Sequence, residues 1–262
     1  MSFGKVDAGN GLNWLTEAIG IVFRNPGAFL VMALIVGVIN LVPFLGSLAI
    51  VVCGPALIGG VVYAARTEAD GGKAELGQLF QAFQEPGKVG PMLLLCLPTI
   101  VGAGLLLVCG LVFGLGALVS GGLSAANGSS LGAGAIGGGV LLLCLIGFVV
   151  VLAIYAFQFF AIPRVMLDGV EPFAAMKESL AACLANIGAF LVFGVVFTVI
   201  CFVAAMVLIW IPIIGWIVMS GFATVILGAA LFVAWRQVFA GATSAASAMP
   251  PPPAPQAPPP QP

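Results

Sequence analysis

Charge is what this chain has least of. Lysine, arginine, aspartate and glutamate make up 6% of its 262 residues. An ordinary soluble domain carries about 25%, so this chain cannot clothe a water-facing surface. Histidine is absent altogether, which removes the commonest general base and the commonest metal ligand. The six cysteines, Cys53, Cys96, Cys109, Cys144, Cys183 and Cys201, form no C-x-x-C pair. Five stand within apolar runs, and all read as small hydrophobic residues rather than a disulfide or metal framework. No Walker loop, dinucleotide-binding glycine pattern or metal-ligand spacing is present. A net charge of −1 offers nothing to nucleic acid or another polyanion. Neither enzymatic activity nor a cofactor, metal or nucleic-acid partner is therefore expected.

The charge is also unevenly missing. Asn25–Ala65, Val89–Pro163 and Ser179–Trp235 contain none at all. One bilayer crossing takes roughly 20 apolar residues, so each stretch has room for two. Each also has uncharged turn chemistry near its middle: Pro43 with Gly46, the Gly/Ser/Ala run Ser120–Gly139, and Pro212 with Gly215. The pattern predicts three membrane hairpins. Their spans lie near Gly27–Val42, Ser47–Ala65, within Pro91–Val119, Gly139–Ile162, Ile187–Trp210 and Ile214–Trp235. The expected fold is all-α, a polytopic membrane bundle of six transmembrane helices over residues 1–240. The first apolar run begins only after Pro26 and leads straight into a second, so it reads as a retained span rather than a cleaved signal.

All eight Lys/Arg fall on one side of this arrangement. That asymmetry puts the charged face and both termini in the cytoplasm of a bacterial inner membrane. Arg66 and Arg236 then snorkel at the ends of the second and sixth spans, and Asn25 and Asn186 cap the first and fifth. Trp14 and Trp235 suit the charged interface, Trp210 and Trp216 the opposite one.

The chain repeats itself at a fixed offset, the one that carries Asn25 onto Asn186. Asn25-Pro26-Gly27-Ala28-Phe29-Leu30-Val31 matches Asn186-Ile187-Gly188-Ala189-Phe190-Leu191-Val192 at six of seven positions. The same offset pairs Glu17 with Glu178, and a drifting one pairs Pro43/Gly46 with Pro212/Gly215 and Arg66 with Arg236. Repeat units of about 10–66 and 171–236 are expected. An even number of spans separates them, so the repeat is parallel. The third and fourth spans would fill the space between the copies. Each unit opens on an amphipathic segment that can lie in the membrane interface or, more simply, cap the bundle from below. One carries the stripe Leu12, Leu15, Ile19, Val22 and Phe23, the other Phe173, Met176, Leu180, Cys183 and Leu184, and Leu76, Leu79, Phe80 and Phe83 suggest a third such helix.

The residues Trp14, Phe23-Arg24-Asn25-Pro26-Gly27, Pro43-Phe44-Leu45-Gly46 and Gly54-Pro55 form a pattern that continues through Leu79–Phe83, Ala175–Ser179 and Asn186. It resembles an uncharacterised family of bacterial six-span inner-membrane proteins. It is more distantly similar to the membrane domain accompanying some glycerophosphodiester phosphodiesterases, whose soluble catalytic domain has no counterpart here. The resemblance covers most of Gly11–Phe239 and implies fold and location without an activity.

Glu17 and Glu178 could act as a paired carboxylate site, though a solvated helix face is the plainer reading. Beyond Met249 the chain is mostly proline: Pro250–Pro253, Pro255, Pro258–Pro260 and Pro262. Residues 241–262 therefore form an extended or disordered tail, and its sharper reading is a docking strip for a protein partner. The role expected is a membrane scaffold or adaptor. The alternative is a passive channel or carrier for a neutral or apolar small molecule.

Overall fold

The computed structural model describes residues 3–126 and 131–240, and the proline-rich tail lies outside them. Among the described residues there is no strand. The elements are α1 (Asn10–Arg24), α2 (Pro26–Leu41), α3 (Leu45–Ala69), a 3-10 turn (Leu76–Phe80) running into α4 (Gln81–Gln84), α5 (Val89–Leu94) and α6 (Leu97–Ala126). They continue with α7 (Leu131–Gln158), α8 (Ala161–Asp168), α9 (Pro172–Ala185), α10 (Ile187–Leu208), α11 (Pro212–Trp235) and a π-turn (Arg236–Ala240). Five helical segments are long and apolar enough to cross a membrane, and six if α1 and α2, bent 105° at their junction, count as one broken span. The chain is an all-α bundle of multi-pass membrane character.

The helix limits follow local chemistry. Pro26 sits in the first turn of α2, where its missing amide costs nothing, and the Asn25 side chain accepts from the Ala28 amide at 3.4 Å. Pro172 and Pro212 open α9 and α11 in the same way. The α2–α3 and α10–α11 turns are built alike. The Gly46 amide donates to the Val42 carbonyl at 2.8 Å and the Gly215 amide to the Ile211 carbonyl at 2.6 Å. A Cβ at Gly46 would strike the Ile39 carbonyl, and one at Gly215 the Leu208 carbonyl. Both turns therefore need glycine. The middle hairpin differs, because α6 and α7 carry on into the glycine-rich run that was expected to be all connection.

Helix α2 has 16 residues, short for a crossing by itself. Its partner supplies the depth. Gly221 of α11 lies on the Ala33 carbonyl and Gly37 of α2 on the Ile217 carbonyl, so the two helices run antiparallel in close backbone contact. That register carries Leu41 to the level of Ile213, at the outer end of α11. Gly228 brings α11 against the Val61 side chain and near the Ile58 carbonyl of α3, a looser contact. Without a hydrophobic drive between helices in lipid, such small-residue faces supply the packing that holds them together. Because α11 meets α2 and α3 directly, α6 and α7 do not fill a space between them, contrary to the sequence expectation. They pack on each other, with Gly102 against Val150 and Ile154, and α7 joins the rest through α8 and α9.

The opening helices are the clearest departure from simple amphipathic reasoning. In α1 the buried positions are Gly11, Trp14, Leu15, Ala18, Ile21 and Val22. In α9 they are Pro172, Ala175, Met176, Ser179, Ala182 and Cys183, the same six positions displaced by the repeat offset. The expected stripes are rotated, with Leu12, Phe23, Phe173 and Leu184 exposed. In a membrane the outer side of such a helix meets hydrocarbon, so apolar residues need not mark the packed side. The third candidate is the 3-10 turn and α4, where only Leu79 of the expected apolar set is fully buried.

The glycine faces yield a test. Gly221→Leu should lower the thermal stability of the purified protein by about 3 kcal/mol, as overpacking of a closed contact does. Gly110→Ala on α6, where nothing lies within 4 Å, should leave it unchanged or raise it slightly. Scanning fluorimetry in one detergent compares the two.

Candidate functional site

The charged groups gather at one end of the bundle, around the ends of the spans and the short helices α8 and α9. Arg164 on α8 is the hub. Its Nε and Nη2 donate to Glu178 Oε2 at 3.0 and 2.7 Å, and its Nη1 donates to Asp168 Oδ2 at 2.6 Å. The guanidinium also lies over the Phe239 ring, 4.8 Å from its centroid. Asp168 Oδ2 further accepts from Trp235 Nε1 at 2.9 Å, tying the end of α11 to α8. Sequence reasoning missed Arg164. Its spacing of four from Asp168 was visible, but Glu178 reaches it only through the α8–α9 turn.

Glu17 on α1 pairs with Arg236, which lies above the Phe232 ring. Glu17 and Glu178 thus each bind their own arginine rather than converging on a shared site. Arg66 pairs with Asp70 in an exposed contact at 3.5 Å, and Arg24 is exposed in the last turn of α1. Pro43 and Pro212 belong to the turns at the opposite end. Among the described residues no three metal-ligating side chains come together.

Two of the predicted caps act beyond their own helices. Asn25 donates to the Ala74 carbonyl at 2.9 Å and to Glu68 Oε2 at 3.4 Å, joining the α1–α2 bend to the end of α3. Asn186 does not cap α10 with its side chain. Instead it is buried, accepts from the Val6 amide at 2.8 Å, and donates to the Gly4 carbonyl at 3.2 Å. The N-terminal strap is held there, and the Gly4 amide adds a bond to the Val238 carbonyl at 2.7 Å.

Just inside the charged layer sits an aromatic plug. Trp14 packs against Phe159, Phe160 and Phe193, and Phe190 packs edge-on to Phe159. Trp14 is therefore a core residue with 0% exposure rather than an interfacial one, its Nε1 donating to Gln237 Oε1 at 2.9 Å. Trp210 and Trp216 are 85% and 60% exposed beside the α10–α11 turn, at the end away from the charges. Ser179 repairs the break between α7 and α8. Its hydroxyl accepts from the Phe160 amide at 2.9 Å and donates to the Ala156 carbonyl at 2.7 Å, standing between two groups that would otherwise bond each other in a continuous helix. Cys183 faces the same carbonyl at 3.7 Å, and burial pushes its thiol up to about 12. It is a neutral packing residue, with no thiolate near neutral pH.

Deeper in the spans, polar side chains bond to backbone or to each other. Gln158 Nε2 donates to the Leu95 carbonyl at 2.6 Å and to Thr99 Oγ1 at 2.9 Å, at the break between α5 and α6. Thr224 donates to the Ser220 carbonyl, Ser220 to the Ile217 carbonyl, and Asn40 to the Val36 carbonyl. Comparisons with protein-family models, curated proteins and solved structures return no match.

Burial separates the two kinds of ion pair. Arg164→Gln leaves the part-buried Glu178 carboxylate short of its partner and should cost about 2 kcal/mol. Arg66→Gln removes an exposed pair worth less than about 1 kcal/mol. Thermal unfolding of both variants beside the parent measures the difference.

Proposed function

We propose that the chain is a membrane scaffold without catalytic chemistry of its own, a six-span protein of a bacterial inner membrane with the charged face and both termini in the cytoplasm. The observation that carries the scaffold reading is the use made of intramembrane polar groups. Gln158, Thr99, Ser220, Thr224 and Asn40 are engaged with backbone or with one another. A carrier for a polar solute must replace the water that the solute loses, and these groups already serve the helices. Below them the rings of Trp14, Phe159, Phe160 and Phe193 pack across the charged end.

The orientation rests on the one-sided Lys/Arg distribution. The parallel repeat is supported by the matching buried faces of α1 and α9 and by the twin glycine turns. As a scaffold, the bundle would present its charged face and proline-rich tail to a cytoplasmic protein partner, with the bilayer as its other contact. The resemblance to the six-span family fits this reading.

Reconstituted proteoliposomes test it. Glycerol and urea efflux should match that of protein-free vesicles. Saturable efflux that disappears in Gln158→Leu or Thr99→Val would overturn the scaffold in favour of a carrier.

A further inference from the structure

In the first unit, α11 of the second fills the space against α2 and α3, through Gly37, Gly221 and Gly228. The second unit has no such helix between its own two spans. A cavity of about 210 Å³ lies there instead, walled by α10 and α11, floored by Leu15 and Ile19 of α1, and open along one side. Cys201, Ala204, Met219 and Ala223 line its length. We infer that this groove seats one acyl chain of a phospholipid in the leaflet opposite the charged face.

Size and chemistry select that occupant. An α-helix is about 10 Å across with its side chains, too thick for a space of this volume. Water needs two to four polar partners, and the walls supply apolar side chains. Dry cavities of roughly 150 Å³ already bind small hydrocarbons, so this one can hold a run of methylenes. From Phe197 to Leu208 the groove follows α10 for about 16 Å at the helical rise. One leaflet of a hydrocarbon core about 30 Å thick is about 15 Å deep. The groove therefore matches an acyl chain in length and in direction.

Its position fixes the leaflet. Leu208 and Val218, at its upper end, flank the turn that carries the exposed Trp210 and Trp216. Such aromatic residues favour the headgroup level. The floor is α1, where Ile19 continues into the exposed Leu12 and Phe23, so the chain end would rest on an apolar shelf. A headgroup would sit beside the Trp210/Trp216 turn, and the terminal methyl above Ile19. The proposal goes beyond the scaffold reading and rests only on the membrane location within it.

Photocrosslinking in nanodiscs tests the seat, using phosphatidylcholine with a diazirine near the end of one acyl chain. Peptide mapping should find adducts concentrated on Ile19, Phe197 and Ile226 at the floor of the groove over the outward-facing Val195, Val199 and Val203. Ala223→Phe and Ala204→Phe, which fill the groove, should each abolish the groove adducts while leaving those on Val199 and Val203. Where either variant fails to incorporate, the map of the unmodified protein decides alone. Adducts spread evenly around α10, or unchanged in the filled variants, would overturn the acyl-chain seat. No adduct anywhere on α10 would instead contradict the membrane location.

Discussion

An ionised side chain is expensive in hydrocarbon, and that constraint shapes every level of this protein. It divides the chain into three charge-free blocks, each folding as helical segments that return to the same end of the bundle. Because every charge then sits at that end, the ionic groups crowd together and can be matched. Arg164 with Glu178 and Asp168, and Arg236 with Glu17, are the result. The Arg164–Glu178 and Arg236–Glu17 pairs join separate elements, so the charged layer also clasps the helix ends. The opposite end, built from uncharged turns with glycine at Gly46 and Gly215, has no such clasp and relies on backbone geometry.

The same avoidance of unsatisfied polarity governs the interior. Each helix break frees backbone groups that hydrocarbon cannot solvate. Ser179 repairs the α7–α8 break, Gln158 serves the α5–α6 break, and Asn25 accepts from the Ala28 amide at the α1–α2 bend. These polar side chains thus have structural roles in holding the helix breaks. Where helices meet without polar help, glycine lets backbones approach, as Gly37 and Gly221 do between α2 and α11.

The spans were legible because charge exclusion acts along the chain. Span 5, expected over Ile187–Trp210, is helical over Ile187–Leu208, and span 6, expected over Ile214–Trp235, begins at Pro212. What was not legible depends on contacts distant in sequence. Trp14 looked interfacial because its plug partners Phe159, Phe160 and Phe193 all lie in the second half of the chain. Apolar periodicity misplaced the packed side of α1 and α9, because lipid rewards an apolar surface on the outer side as well. The Arg164–Glu178 pair and the role of Ser179 carried no spacing signal, since both arise only when α8 and α9 fold back on α7. The repeat offset held more than composition suggested, reproducing all six buried positions of α1 in α9.

The central claim is that all charge lies on one side of three membrane hairpins. Reporter fusions whose activity depends on the compartment measure this most directly. Fusions after Gly46, within Ser120–Gly139 and after Gly215 should all read periplasmic, and fusions at Asp70, Asp168 and Ala240 should all read cytoplasmic. A cytoplasmic signal from the Gly46 junction would leave α1 and α2 as a re-entrant pair rather than a crossing. A cytoplasmic signal from the glycine-rich connection would break the three-hairpin account outright.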